Sequence, residues 1–201
     1  MRFRSMPVLA LAALAACGGG GAETGGAVDT TSVAPLPADT LGTDTGTLAT
    51  SGTGAPVDVA LRDAQGRDLG SVTLVESGQG IRVSGHLRGL PPGEHAIHLH
   101  ATGRCEPPFE SAGPHWNPTT QQHGTQNPQG PHLGDMPNLT VGADSTATVQ
   151  QVTPGGTLRG QNALLDADGA AVVVHAGPDD DRTDPSGNSG ARIACGVATI
   201  S

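Results

Sequence analysis

Between His98 and Asp135 the chain carries five of its eight histidines and an aspartate, at His98, His100, His115, His123, His132 and Asp135; a further histidine, His175, closes the apolar run AAVVVH. Imidazole suits copper and zinc, and three imidazoles with one carboxylate make an ordinary tetrahedral zinc set. A lone histidine is more often a surface or core residue than a ligand, and HxH by itself is weak evidence. The succession HxH, three spaced histidines and HxxD is hard to obtain from solvated loops, so metal binding by the whole set is the expectation. Six imidazoles and one carboxylate are seven donors, whereas two four-coordinate ions need eight. The shortfall closes if one imidazole binds an ion through each of its ring nitrogens. His115 stands between the HLH pair and the His123, His132, Asp135 group, which makes it the candidate bridge.

Two kinds of element must hold these donors. His98 and His100 are two apart in EHAIHLH, which reads as a strand, and alternate strand residues share a face. The donors from His115 to Asp135 lie in Gly/Pro/Asn-rich sequence that reads as a long loop, a length uncommon without function. Short alternating runs surround it: PVDVALRD, GSVTLVE, IRVSGHL and EHAIHLH before the loop, then NLTVG, STATVQQV, AAVVVH and RIACGVATI after it. Gly66, Gly80, Pro91-Pro92-Gly93 and Gly142 mark corners. Eight antiparallel strands with one large insertion predict an all-β barrel or sandwich. Val, Leu, Ile and Ala must build its core, because the chain has no tyrosine, one tryptophan and two phenylalanines.

The N-terminus reads as an address. Residues 1–16 carry Arg2 and Arg4 and then VLALAALAA, a charged region followed by a short apolar one, as in an export signal. Leu14-Ala15-Ala16-Cys17 looks like a bacterial lipobox, in which Cys17 is acylated and anchors the chain; a plain secretory peptide cut nearby is the alternative. Residues 17–54 are almost wholly Gly, Ala, Thr, Ser, Asp and Pro, too poor in apolar surface to fold, and read as a tether. Residues 55–201 remain, enough for one domain with a real core. Export leaves Cys105 and Cys195 as an even pair where a disulfide can persist. The formal net charge is −9 and there is no lysine, which argues against nucleic acid as a partner.

GEHAIHLH, CEPPFESAGPHWNP, QQHG, PHLGDMPNLTV, VVVHAGPDD and GNSGARIACGVA, in this order from about residue 56 to the C-terminus, resemble copper/zinc superoxide dismutase of the bacterial exported type. The resemblance implies an eight-stranded Greek-key β-barrel or sandwich, immunoglobulin-like, with a long metal-binding loop and a C-terminal electrostatic loop. It implies one copper ion per subunit on His98, His100, His115 and His175. One zinc ion per subunit would sit on His115, His123, His132 and Asp135, with His115 bridging. By the same resemblance, Asp179 is the carboxylate joining a copper histidine to a zinc histidine, Arg192 draws and orients the anion, and Cys105 pairs with Cys195.

The implied activity is conversion of superoxide to dioxygen and hydrogen peroxide. A copper cycling between two oxidation states serves both half-reactions, while zinc, which has no redox chemistry, fixes the loop and tunes His115. His115 is expected to take up a proton and pass it to the nascent peroxide. An acidic chain is awkward for an anionic substrate unless the local field is positive, a field that Arg192, the metals and Arg182 would supply. Ala101 stands where the family often has Glu, and EPPFE alters a loop that touches subunit contacts in the family, so monomer and homodimer both stay open. His95 and His86 fall outside the metal set. The alternative function is a non-catalytic, copper- or zinc-sequestering lipoprotein on the same fold, which would be free to lose a copper ligand or Arg192.

Overall fold

The structure is a computed structural model that describes residues 54–161 and 163–199. The expected export signal, the acylation of Cys17 and the tether, Gly54 apart, lie outside the described residues. Among the described residues nine strands form: β1 Val57–Arg62, β2 Asp68–Ser77, β3 Gly80–Arg88, β4 Gly93–His95, β5 Ile97–His100, β6 Leu139–Val141, β7 Thr146–Pro154, β8 Ala170–His175 and β9 Arg192–Ala198. A single 3-10 turn, Glu110–Ala112, interrupts this all-β order among the described residues. Seven strands join antiparallel in the order β5-β8-β9-β1-β2-β3-β7, and β4 pairs with β6 in a two-stranded sheet beside β7.

The ninth strand corrects the sequence expectation of eight. EHAIHLH does not run as one strand but divides at Ala96, with β4 pairing to β6 and β5 to β8. Ala96 accepts from the His175 N–H at 2.9 Å and donates to the Gly177 carbonyl at 2.8 Å, so its backbone groups are satisfied while the chain passes from one sheet to the other.

Alternation explains most of the burial. In β1, Val57, Val59 and Leu61 point inward and the residues between them outward, and β7 does the same with Ala147 and Val149. β8 is buried throughout, which is why AAVVVH lacks alternation. Its Ala170, Val172 and Val174 face the main core, whereas Ala171 and Val173 pack with Phe109, Ala112 and Cys195 in a second cluster beneath the 105–112 loop. The Cys105–Cys195 disulfide ties that loop to β9 across 90 residues of chain. The free edge of β5 is covered by the metal-rich loop through the bridges His98↔Asp135 and His100↔His115.

Candidate metal centre

β5 aims two imidazoles at one place because Leu99, between them, points into the core. Backbone bonds lay the loop against this strand: Trp116 N–H to Leu99 O at 2.9 Å, Leu99 N–H to Gly134 O at 2.9 Å, and Gly134 N–H to Trp116 O at 2.9 Å. Gly134 is required here, since a Cβ would run into the Leu99 carbonyl. This close docking carries His115, His123, His132 and Asp135 in behind β5, and β8 delivers His175 from the neighbouring strand. All six histidines and Asp135 are buried.

The structure brings the predicted donors together in two overlapping sets. His98, His100, His115 and His175 present ligand atoms within 4.8 Å of one another, and so do His115, His123, His132 and Asp135. His115 belongs to both sets, as donor counting requires. Its Nδ1 lies 2.8 Å from Asp135 Oδ1, and the Nδ1 atoms of His123 and His132 approach the same oxygen at 3.0 and 3.2 Å. Ligands about 2.0 Å from a tetrahedral zinc stand about 3.3 Å apart, so these spacings fit that ion. The other carboxylate oxygen of Asp135 accepts the Gly124 and His132 N–H groups at 2.9 and 3.0 Å, which fixes the carboxylate with Oδ1 inward.

One ring nitrogen of most of these histidines is spoken for, which dictates what the other can do. His98 Nε2 meets Asp179 Oδ2 at 2.7 Å and His123 Nε2 meets Asp179 Oδ1 at 2.9 Å. His100 Nδ1 donates to Gly113 O at 2.9 Å, and His175 Nδ1 lies 3.1 Å from Ser189 Oγ and 3.3 Å from Gly190 O. The nitrogens left buried without a hydrogen-bond partner are His98 Nδ1, His100 Nε2, His115 Nε2, His175 Nε2, His123 Nδ1 and His132 Nδ1. An unsatisfied buried polar atom is costly, and six converging in one site mark a place built for cations. Imidazole-rich donor sets of this kind fit copper and zinc.

Electrostatics prepares the same atoms. Burial, together with neighbouring histidines, holds His115 down at about 4 and His175 at about 3, and burial lowers His100 well below its usual value. Neutral imidazoles keep the lone pairs that a metal needs. His123 behaves oppositely: burial disfavours its charge, but the carboxylates of Asp135, 3.0 Å from Nδ1, and of Asp179, which accepts from Nε2, outweigh that and raise it to about 10. Asp135 and Asp179, despite burial, are held far below the usual carboxylate range by their histidine partners. Two such anions beside His123 favour a proton or a metal cation at the same spot.

The set opens onto a cleft of about 970 Å³ lined by His115, His132, His175 and Arg192. Arg192 begins β9, and its guanidinium is held by two carbonyls, Nη1 to Phe109 O at 2.7 Å and Nη2 to Gly113 O at 2.8 Å. Residues 69–198 match the family profile of copper/zinc superoxide dismutase. The chain is 44% identical over 141 residues to Cu-Zn superoxide dismutase 2 of Aquifex aeolicus, covering 68% of this chain and 82% of the relative. It is 45% identical over 142 residues to the Cu-Zn superoxide dismutase of Caulobacter vibrioides, with the same coverage. The chain belongs to the copper/zinc superoxide dismutase family. Membership places it among oxidoreductases that use copper and zinc. The crystal structure of a superoxide dismutase-like protein from Bacillus subtilis superposes with TM-score 0.67 at 41% identity, over 70% of this chain and 96% of that one. The Cu/Zn superoxide dismutase from Brucella abortus gives 0.58 at 28% identity, over 71% and 99%. Bacterial relatives and the disulfide together indicate an exported protein.

Several residues of this superoxide dismutase site escape sequence reasoning. Asn138 clasps Asp179 twice, Nδ2 to Asp179 O at 2.9 Å and Asp179 N–H to Asn138 Oδ1 at 2.8 Å. Gly187, at φ 63°, leaves room for Asp179, because a Cβ there would collide with Asp179 Oδ1 and reach His123 Nε2 at 2.7 Å. Asp184 accepts the His123 backbone N–H at 2.7 Å. A sequence offers no mark for a carbonyl such as Gly113 O, which serves both His100 and Arg192. Arg182 departs from expectation: it turns to Gln126 Oε1, at 3.1 and 2.7 Å, and does not line the cleft. His95 spans the Pro91 and His175 carbonyls at 2.8 Å each, and His86 is exposed beside Thr148, both outside the metal sets.

Proposed function

We propose that this chain converts superoxide to dioxygen and hydrogen peroxide, with copper on His98, His100, His115 and His175 and zinc on His115, His123, His132 and Asp135. The observation that carries the reading is the set of six unpartnered, buried ring nitrogens, divided between two groups that share His115. Bound there, copper would supply one-electron oxidation and reduction, and zinc, which has no redox chemistry, would hold the loop. Arg192 receives the anion with a guanidinium already braced by Phe109 O and Gly113 O, so little side-chain order remains to be gained on binding. His115 Nε2, unpartnered at the cleft, is the atom that takes up a proton and returns it to the reduced oxygen species. Asp179 orients His98 and His123 by accepting from both Nε2 atoms.

Acylation at Cys17, after removal of residues 1–16, would anchor the domain to a membrane through the tether of residues 17–54. The test of function is superoxide dismutation by residues 55–201 loaded with copper and zinc, beside His98→Ala. Fast activity that disappears in the variant supports the reading. Full metal stoichiometry without activity sinks it in favour of a metal-sequestering protein on the same fold.

A further inference from the structure

The walls of the cleft carry a charge pattern at odds with an anionic ligand. Among the described residues that line it, Arg192 is the one arginine, and the chain has no lysine at all. Three carboxylates share those walls: Glu110, in the 3-10 turn next to Phe109; Asp166, in the loop before β8; and Asp184, in the loop before β9. Asp184 has a structural task, since it accepts the His123 N–H at 2.7 Å. Glu110 and Asp166 are exposed, and neither pairs with an arginine within ion-pair distance. Burial holds Arg192 below its usual value, and Glu110 is close enough to act on it in the opposite sense, favouring its charge.

We propose that Glu110 and Asp166 hold back the approach of anions to this site, so that the cleft opposes the attraction that Arg192 exerts instead of reinforcing it. The proposal rests on the superoxide dismutase reading for its substrate, a small monoanion, but it concerns any small anion that reaches the metal set. A unit charge about 8 Å from an anion in water changes its local concentration by about two- to threefold. Removing both carboxylates therefore raises encounter by about fivefold at low salt. At 0.15 M the Debye length is about 8 Å and the gain shrinks toward twofold. Salt screens repulsion as readily as attraction, so the sign of the salt dependence reports which of the two prevails at the entrance.

The experiment uses the copper- and zinc-loaded protein and the double variant Glu110→Gln/Asp166→Asn, with Asp58→Asn/Glu94→Gln as a control that removes equal charge from β1 and β4, away from the cleft. Two readouts are taken at ionic strengths from about 0.01 to 0.15 M: kcat/KM for superoxide, and azide affinity from the visible spectrum. Wild type is expected to stay level or speed up as salt rises. The double variant should start about fivefold faster, bind azide about fivefold more tightly, and weaken on both counts as salt rises. The control should follow wild type. A double variant matching wild type in both rate and salt slope overturns the proposal, as does a control that gains as much as the double variant. If azide binding responds as expected in a protein that does not dismutate superoxide, the proposed function fails and this inference stands.

Discussion

Replacing Asp179 with asparagine removes a single negative charge and leaves the side chain's shape almost unchanged. In the structure both carboxylate oxygens accept, one from His98 Nε2 at 2.7 Å and one from His123 Nε2 at 2.9 Å, in a site where all three side chains are almost fully buried. An amide can accept from only one of these rings and must present its own N–H groups to the other. The second ring can escape that clash only by moving its proton to Nδ1, the atom that faces the metal set. The loss is one charge-assisted hydrogen bond, about 1.5–3 kcal/mol, which corresponds to about ten- to a hundredfold in metal affinity. Because His98 belongs to one set and His123 to the other, the expected outcome is a loss of that size at the copper site, the zinc site or both. Gly187→Ala should reproduce it from the other side, by pushing Asp179 out of place. The assay is competitive titration of metal-free protein with zinc and with copper against a chromophoric chelator, with the fold checked by circular dichroism. A folded Asp179→Asn protein that binds both ions within about twofold of wild type would refute this account of the carboxylate, since one decade is about 1.4 kcal/mol.

Other substitutions probe separate parts of the structure. Arg192→Ala should lower kcat/KM by at least about tenfold with metal content unchanged, whereas Arg192→Lys keeps the charge but loses the fork held by Phe109 O and Gly113 O, and should recover only part of the rate. The Cys105→Ala/Cys195→Ala pair opens a constraint spanning 90 residues, worth about 4–5 kcal/mol in the chain-entropy account. Calorimetry should show Tm falling by roughly 10–15 °C; a fall of less than about 3 °C would contradict that estimate. Leu74→Ala, at a fully buried β2 position, should cost about 2–5 kcal/mol in urea unfolding while leaving metal stoichiometry intact.

What the sequence determined by itself is the inventory and its local order. The two-residue spacing of His98 and His100 places them on one strand face and the Gly/Pro punctuation marks the long loop, both of which the structure shows; seven donors for two tetrahedral ions call for a shared imidazole, and His115 lies in both donor groups. They were legible because they depend on side-chain identity and on the period of a strand, both of which are local. The rest was decided by tertiary contact. EHAIHLH looks uniform along the chain and divides at Ala96 only because its two ends find different partners, β6 and β8. Arg192 is braced by carbonyls 79 and 83 residues away, and a carbonyl has no signature in any sequence. Asn138 and Gly187 matter because folding sets them against Asp179, one through a pair of hydrogen bonds and the other by lacking a Cβ. Arg182 and Arg192 are the same residue type on neighbouring stretches of chain, yet the packing of Gln126 against one and of the 105–113 loop against the other leaves the cleft with a single guanidinium among the described residues.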